Sequence, residues 1–117
     1  MSKVLVLDDN PDTAESLGIL LGLHGHNVRA VTSGYAAFDA LADFDPDVCL
    51  VDIRMPGMDG YQVASRMRRV LGPSVRVLAL TGELGAAADP RSSVFDHVFI
   101  KPPDLGELLG AVAEPGH

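Results

Sequence analysis

Pro46-Asp47-Val48-Cys49-Leu50-Val51-Asp52-Ile53-Arg54-Met55-Pro56-Gly57-Met58-Asp59-Gly60 is the stretch that decides the fold. Val48 to Val51 is an unbroken apolar run that stops at a carboxylate, Asp52. A continuous run, rather than an alternating one, predicts a strand covered on both faces, as in a parallel sheet. Asp59 then begins a helix with Val63, Met67 and Val70 or Leu71 facing inward, and Gly72-Pro73 end it.

The same grammar repeats on either side. Apolar runs recur at Val4–Leu7, Val28–Val31, Val75–Leu80 and Val98–Ile100, giving five with the central one. Asn10-Pro11 is an N-cap with proline at the first helical position. Leu17, Leu20, Leu21 and His24 follow at helical spacing, and Gly25 stops that helix. Ser33 opens a second helix with Ala37, Leu41 and Phe44 on one face, ended by Asp45-Pro46. Asp104 opens the last, which carries Leu105, Leu108, Leu109 and Val112. Between Leu80 and Val98, Pro90 interrupts a helical Ala86–Ala88 stretch, so a short, broken or shifted fourth helix is expected. Strand and helix alternating in this way predict an open α/β sheet with helices on both faces.

Length and composition agree. The 117 residues suit one domain, 1–117, and 47% hydrophobic content excludes a disordered chain. A net charge of −7 argues against nucleic acid or an anionic membrane as a direct partner. Arg66, Arg68, Arg69 and Arg76 read as a solvated helix face plus a strand start. Cys49, the single cysteine, reads as a small buried thiol. Met1-Ser2-Lys3 leads directly into the first strand, which is neither a signal peptide nor a membrane span, so the cytoplasm is the expected compartment.

The polar residues carry the chemistry. Asp8 and Asp9 end the first strand, Asp52 the third, Thr81 the fourth and Lys101 the fifth. In a parallel sheet these ends share one edge, where open α/β folds bind ligands. Three carboxylates there repel one another, and a hard divalent cation such as Mg²⁺ relieves the repulsion. A carboxylate can also act as nucleophile and form an aspartyl phosphate. Mg²⁺, the Lys101 ammonium and the Thr81 hydroxyl can then serve the phosphoryl oxygens. Each residue alone has a plainer reading. Asp8-Asp9 could cap the first helix, Thr81-Gly82 could be a turn, and Lys101 a surface lysine. An X-Pro bond in a tight turn suits the cis isomer, which at Lys101-Pro102 would aim the lysine inward. Their joint occurrence decides for function. Walker and dinucleotide-binding loops, a zinc-ligand spacing and a nucleophile elbow are all missing from the sequence.

Val4-Leu5-Val6-Leu7-Asp8-Asp9-Asn10, the stretch 46–60, Leu78-Ala79-Leu80-Thr81-Gly82 and Ile100-Lys101-Pro102 together resemble the response-regulator receiver family of two-component signal transduction, over nearly the whole chain. The resemblance implies a flavodoxin-like, doubly wound sheet of five parallel strands in the order 2-1-3-4-5. It implies Asp52 as phosphoacceptor and Asp8, Asp9, Asp52 and the backbone carbonyl of Arg54 as ligands of Mg²⁺ (or Mn²⁺). It implies Thr81 as the switch hydroxyl and Lys101 as its partner at the phosphoryl group. Phosphoryl groups would come from a sensor histidine kinase, a histidine phosphotransfer protein or acetyl phosphate, and be lost by self-hydrolysis. The domain would catalyse its own phosphorylation and dephosphorylation without being an enzyme in the conventional sense. It would be a monomer or a weak phosphorylation-dependent dimer.

Some positions depart from the family pattern. Val98 stands where the family places its switch aromatic, with Phe99 on the opposite strand face; Tyr35 and Phe99 are the remaining candidates for a reporter. Arg54 and Glu83 flank Asp52 and are expected to pair over it, modulating water access. Two other readings compete. An aspartate-nucleophile phosphatase needs an acid two residues after its nucleophile, where this chain has Arg54. An inert scaffold is disfavoured because all five key residues are present. With Pro115-Gly116-His117 at its end the chain reads as a free-standing regulator or an excised receiver; Phe95-Asp96-His97 and Lys101-Pro102-Pro103-Asp104-Leu105 are similar to receivers of hybrid kinases.

Overall fold

The computed structural model describes residues 2–55 and 57–113, so Pro56 and the closing Pro115-Gly116-His117 lie outside the described residues. Five parallel strands form one sheet: β1 (Lys3–Leu7), β2 (Asn27–Val31), β3 (Val48–Asp52), β4 (Arg76–Thr81) and β5 (His97–Ile100). Their order is β2-β1-β3-β4-β5, the expected doubly wound topology. Successive side chains of a strand point to opposite faces. Val4, Val6, Leu50 and Leu78 therefore pack on α1 (Pro11–Leu23) and α4 (Leu105–Ala113), against Leu21, Leu108 and Val112. Leu5, Leu7, Val51 and Val77 pack on α2 (Gly34–Ala40) and α3 (Gly60–Leu71), against Ala37, Val63 and Met67. Both faces being covered is the reason the strands read as unbroken apolar runs. Each such buried side chain stabilises the fold by roughly 1.5–3 kcal/mol.

Local chemistry sets the element ends. Asn10 Oδ1 accepts from the amides of Asp12 and Thr13, Ser33 Oγ from Ala36, and Asp59 Oδ1 from Tyr61, so each predicted cap is made. Gly72, at φ 83°, turns the chain out of α3 in a conformation that side-chain-bearing residues avoid.

Several details differ from the sequence reading. Helix α2 stops at Ala40, and Phe44 is buried beyond it, with Lys3 and Arg29 ammonium and guanidinium groups over its ring. His24 is the exposed C-cap of α1 rather than part of its inner face, and Leu21 is the leucine buried fully. In α3 the inward residue is Leu71, because Val70 lies on the solvent side. Arg68 is no solvated side chain. Its guanidinium donates to the Val75 and Val94 carbonyls and to Asp96, tying α3 to the starts of β4 and β5.

The expected break in the fourth helix is present. Residues Ala86–Ala88 and Pro90–Val94 form two short 3₁₀ helices, with Asp89 capping the second. Pro90, with no amide proton to donate, starts the second instead of continuing the first. Among the described residues no helix is long and apolar enough to cross a membrane.

Candidate functional site

The sheet edge assembles the predicted residues. Carboxylate oxygens of Asp8, Asp9 and Asp52 lie within 4.8 Å of one another. Asp8 and Asp52 are buried and Asp9 is exposed. Thr81 is fully buried at the end of β4, and its Oγ1 accepts from the Glu83 amide at 3.2 Å. Lys101 follows β5, and its Nζ reaches Asp8 Oδ2 at 2.9 Å and Asp52 Oδ2 at 3.8 Å. The Lys101–Pro102 peptide bond is cis. The capping alternative for the aspartate pair fails, because Asn10 caps α1 and its own amide donates to Asp8 Oδ1 at 3.0 Å.

Electrostatics follow from burial. Enclosure of the Asp52 carboxyl pushes its pKa up to about 6. The nearby Lys101 ammonium opposes the rise, the Asp8 carboxylate adds to it, the Arg54 amide lowers it and a hydrogen bond with Asp9 raises it. One ammonium thus reaches two of three crowded carboxyl groups. Oxygen donors of that kind, short of positive charge, fit a hard divalent cation. Burial likewise pushes the Cys49 thiol up to about 12, in keeping with an inert core thiol.

The loop after Asp52 is held tightly. Arg54–Met55 pairs with Met58–Asp59 in a small antiparallel ribbon, and the Gly60 amide donates to the Ile53 carbonyl at 2.9 Å. A Cβ on Gly60 would stand 2.5 Å from the Asp52 carbonyl oxygen, so only glycine allows this approach. Arg54 donates its amide to Asp52 Oδ1 at 3.2 Å, while its side chain reaches outward to Glu83. The predicted Arg54–Glu83 pair is present at 2.7 Å.

Beside this pair lies a cleft of about 480 Å³ floored by Ile53, Met55 and Tyr61 and rimmed by Asp59 and Arg91. Tyr61, Ser92 and Arg91 escape a sequence reading, because a helix-start tyrosine and a polar loop carry no motif. The two reporters read from sequence lie in different surroundings. Phe99 packs on the α1–α4 side of the sheet beside His97, and Tyr35 is 79% exposed.

Comparison with known proteins agrees with this geometry. Residues 4–113 match the profile of the response regulator receiver domain. Regulatory protein AtoC of Escherichia coli is 34% identical over 110 residues, covering 92% of this chain but 24% of that protein. Sporulation initiation phosphotransferase F of Bacillus subtilis is 30% identical over 94% of this chain and 90% of its own length. Response regulator protein TrrA of Thermotoga maritima, solved in complex with Mg²⁺-BeF, superposes with a TM-score of 0.86 at 28% identity, covering 96% of both chains. TrrA has also been solved in complex with histidine kinase ThkA, where the TM-score is 0.84.

Proposed function

From its membership of the response regulator receiver family, to which this chain belongs, we propose that it takes a phosphoryl group on Asp52 and relays that event by a change of shape. The observation that carries this reading is the convergence of Asp8, Asp9, Asp52, Thr81 and Lys101 at one sheet edge.

Asp52 is the nucleophile. A carboxylate oxygen attacks phosphorus, the bond from phosphorus to the donor's leaving group breaks, and an aspartyl phosphate forms. The leaving group is the imidazole nitrogen of a phosphohistidine or the carboxylate of acetyl phosphate. Asp8, Asp9, Asp52 and the Arg54 carbonyl would hold Mg²⁺, which neutralises charge on the phosphoryl oxygens when bound. Lys101 leaves its contact with Asp8 for a phosphoryl oxygen, and Thr81 donates its hydroxyl to another. The phosphodonor is a sensor histidine kinase or a histidine phosphotransfer protein, as the solved TrrA–ThkA complex suggests for a related receiver. Arg54 and Glu83 screen the anhydride from water, so the self-dephosphorylation rate depends on them.

Reductive trapping of the acyl phosphate followed by peptide mapping tests the assignment. Modification of the peptide at Asp52 is expected; modification at Asp8 or Asp9 instead overturns it.

A further inference from the structure

We propose that Thr81 and Tyr61 are the two ends of one switch, joined by a hydrogen-bonded path through the 3₁₀ segment and latched by Arg91; this rests on Asp52 being the phosphoacceptor. The path is continuous. Thr81 Oγ1 accepts from the Glu83 amide at 3.2 Å, and the Glu83 carbonyl accepts from the Ala86 amide at 3.2 Å. The Ala86 carbonyl accepts from the Ser92 hydroxyl, and the Ser92 and Tyr61 hydroxyls share a hydrogen bond at 3.4 Å. Thr81, Ala86, Ser92 and Tyr61 are buried and Glu83 is half-buried, so water cannot readily replace a link broken at the Ser92–Tyr61 end.

Tyr61 is held down from outside. The Arg91 guanidinium lies over its ring at 4.3 Å and bridges Asp89 at 2.7 Å and Asp59 at 3.5 Å. Asp59 belongs to the ribbon after Asp52, and Asp89 to the segment after Thr81, so Arg91 straps the two together. On the inner side the ring meets Phe95, with centroids 5.8 Å apart. Arg91 is exposed, and exposed ion pairs are weak, so the latch can open.

Phosphorylation disturbs the near end of the path twice. A Thr81 hydroxyl turned to a phosphoryl oxygen gives up the Glu83 amide. Arg54, the partner of the Glu83 carboxylate, stands two residues after Asp52, donates its amide to that carboxyl group and feels the added negative charge. The segment 83–92 then shifts, Ser92 releases Tyr61, and the ring and Phe95 become accessible. The two 3₁₀ turns suit this movement, since their i→i+3 hydrogen bonds have poorer geometry than those of an α-helix.

A path of contacts does not itself show coupling, so the test measures coupling. The chain has two tyrosines, and Tyr35 is exposed, so Tyr35→Phe labelled with fluorotyrosine gives one fluorine resonance, from Tyr61. Acetyl phosphate and Mg²⁺ are added while intact mass is followed in the same sample. The resonance is expected to move toward that of solvent-exposed fluorotyrosine in step with the gain of one phosphoryl group. With Ser92→Ala added, the mass gain persists and the resonance stays still; with Arg91→Ala added, it is already displaced before phosphorylation. A mass gain without movement of the Tyr61 resonance overturns this inference alone, as does an unaltered response in both variants. Absence of any mass gain, both with acetyl phosphate and with a phosphorylated histidine phosphotransfer protein, overturns the phosphoacceptor reading, and this inference with it.

Discussion

Lys101 Nζ stands 2.9 Å from Asp8 Oδ2 and 3.8 Å from Asp52 Oδ2, joining the first and last strand ends of the sheet across 93 residues of chain. The lysine therefore leans on the acid pair, and Asp52 keeps a raised pKa beside it. That arrangement leaves the ammonium free to change partner when a phosphoryl group arrives.

Removing the lysine strands a buried charge. Lys101→Met is expected to destabilise the metal-free protein by about 1–3 kcal/mol, less than for a wholly buried pair because Lys101 is partly exposed. Mg²⁺ should restore part of the loss. Urea denaturation with and without Mg²⁺ checks both; equal sensitivity of parent and variant to Mg²⁺ contradicts it.

Asp52 makes the metal-free fold pH-sensitive. Its folded pKa, about 6, lies above its ordinary value of 3.8, so its contribution is full below pH 3.8 and is lost as pH rises through 6. The loss amounts to at most about 3 kcal/mol. Asp52→Asn should remove this decline and be the more stable protein at pH 7 without metal. Protons also compete with the cation, so Mg²⁺ affinity should fall below pH 6, as titration calorimetry at several pH values would show.

Asp96 behaves in the opposite sense. Burial pushes its pKa up, but the Arg68 guanidinium and the Val77 amide together pull it below the ordinary range. Its contribution is therefore present above the usual carboxylate pKa and lost as pH falls through the depressed one. Asp96→Asn leaves the Val77 amide and Arg68 poorly matched and should cost about 1–3 kcal/mol at neutral pH. Thermal melts from pH 7 to pH 3 should show the difference shrinking.

Gly60→Ala forces the loop away from the Asp52 carbonyl, which a Cβ would meet at 2.5 Å. A cost of about 1–3 kcal/mol in stability is expected. Phosphorylation from acetyl phosphate should also slow, since the displaced backbone carries both Asp52 and Arg54.

The Arg54–Glu83 pair is solvent-facing, with side chains 77% and 37% exposed, and should stabilise the fold by under about 1 kcal/mol. Its effect is expected on phosphoryl lifetime instead. Arg54→Ala and Glu83→Ala should change the dephosphorylation rate while leaving urea midpoints nearly fixed; unchanged rates in both dispose of the screening role.

The sheet was legible because burial on two faces writes unbroken apolar runs such as Val48–Val51, and the caps because Asn10, Ser33 and Asp59 have one physical use there. The site was legible because strand ends of a parallel sheet share an edge, so Asp8, Asp52, Thr81 and Lys101 had to meet. Phe44 misled because its spacing from Ala37 and Leu41 fits a helical face, although the helix ends at Ala40 and the chain carries Phe44 into the core beyond it. Arg68 misled because a long side chain between helix and strand looks the same in sequence as a solvated one. The Tyr61–Ser92–Arg91 group was invisible, since it joins residues 31 positions apart through two irregular turns.

The most direct measurement is intact mass of the protein incubated with acetyl phosphate and Mg²⁺, beside Asp52→Asn and an EDTA control. The account predicts a slowly decaying gain of one phosphoryl group in the parent, lost in Asp52→Asn and with EDTA. An adduct that persists in Asp52→Asn, or a parent unmodified both here and with a phosphorylated histidine phosphotransfer protein, contradicts it.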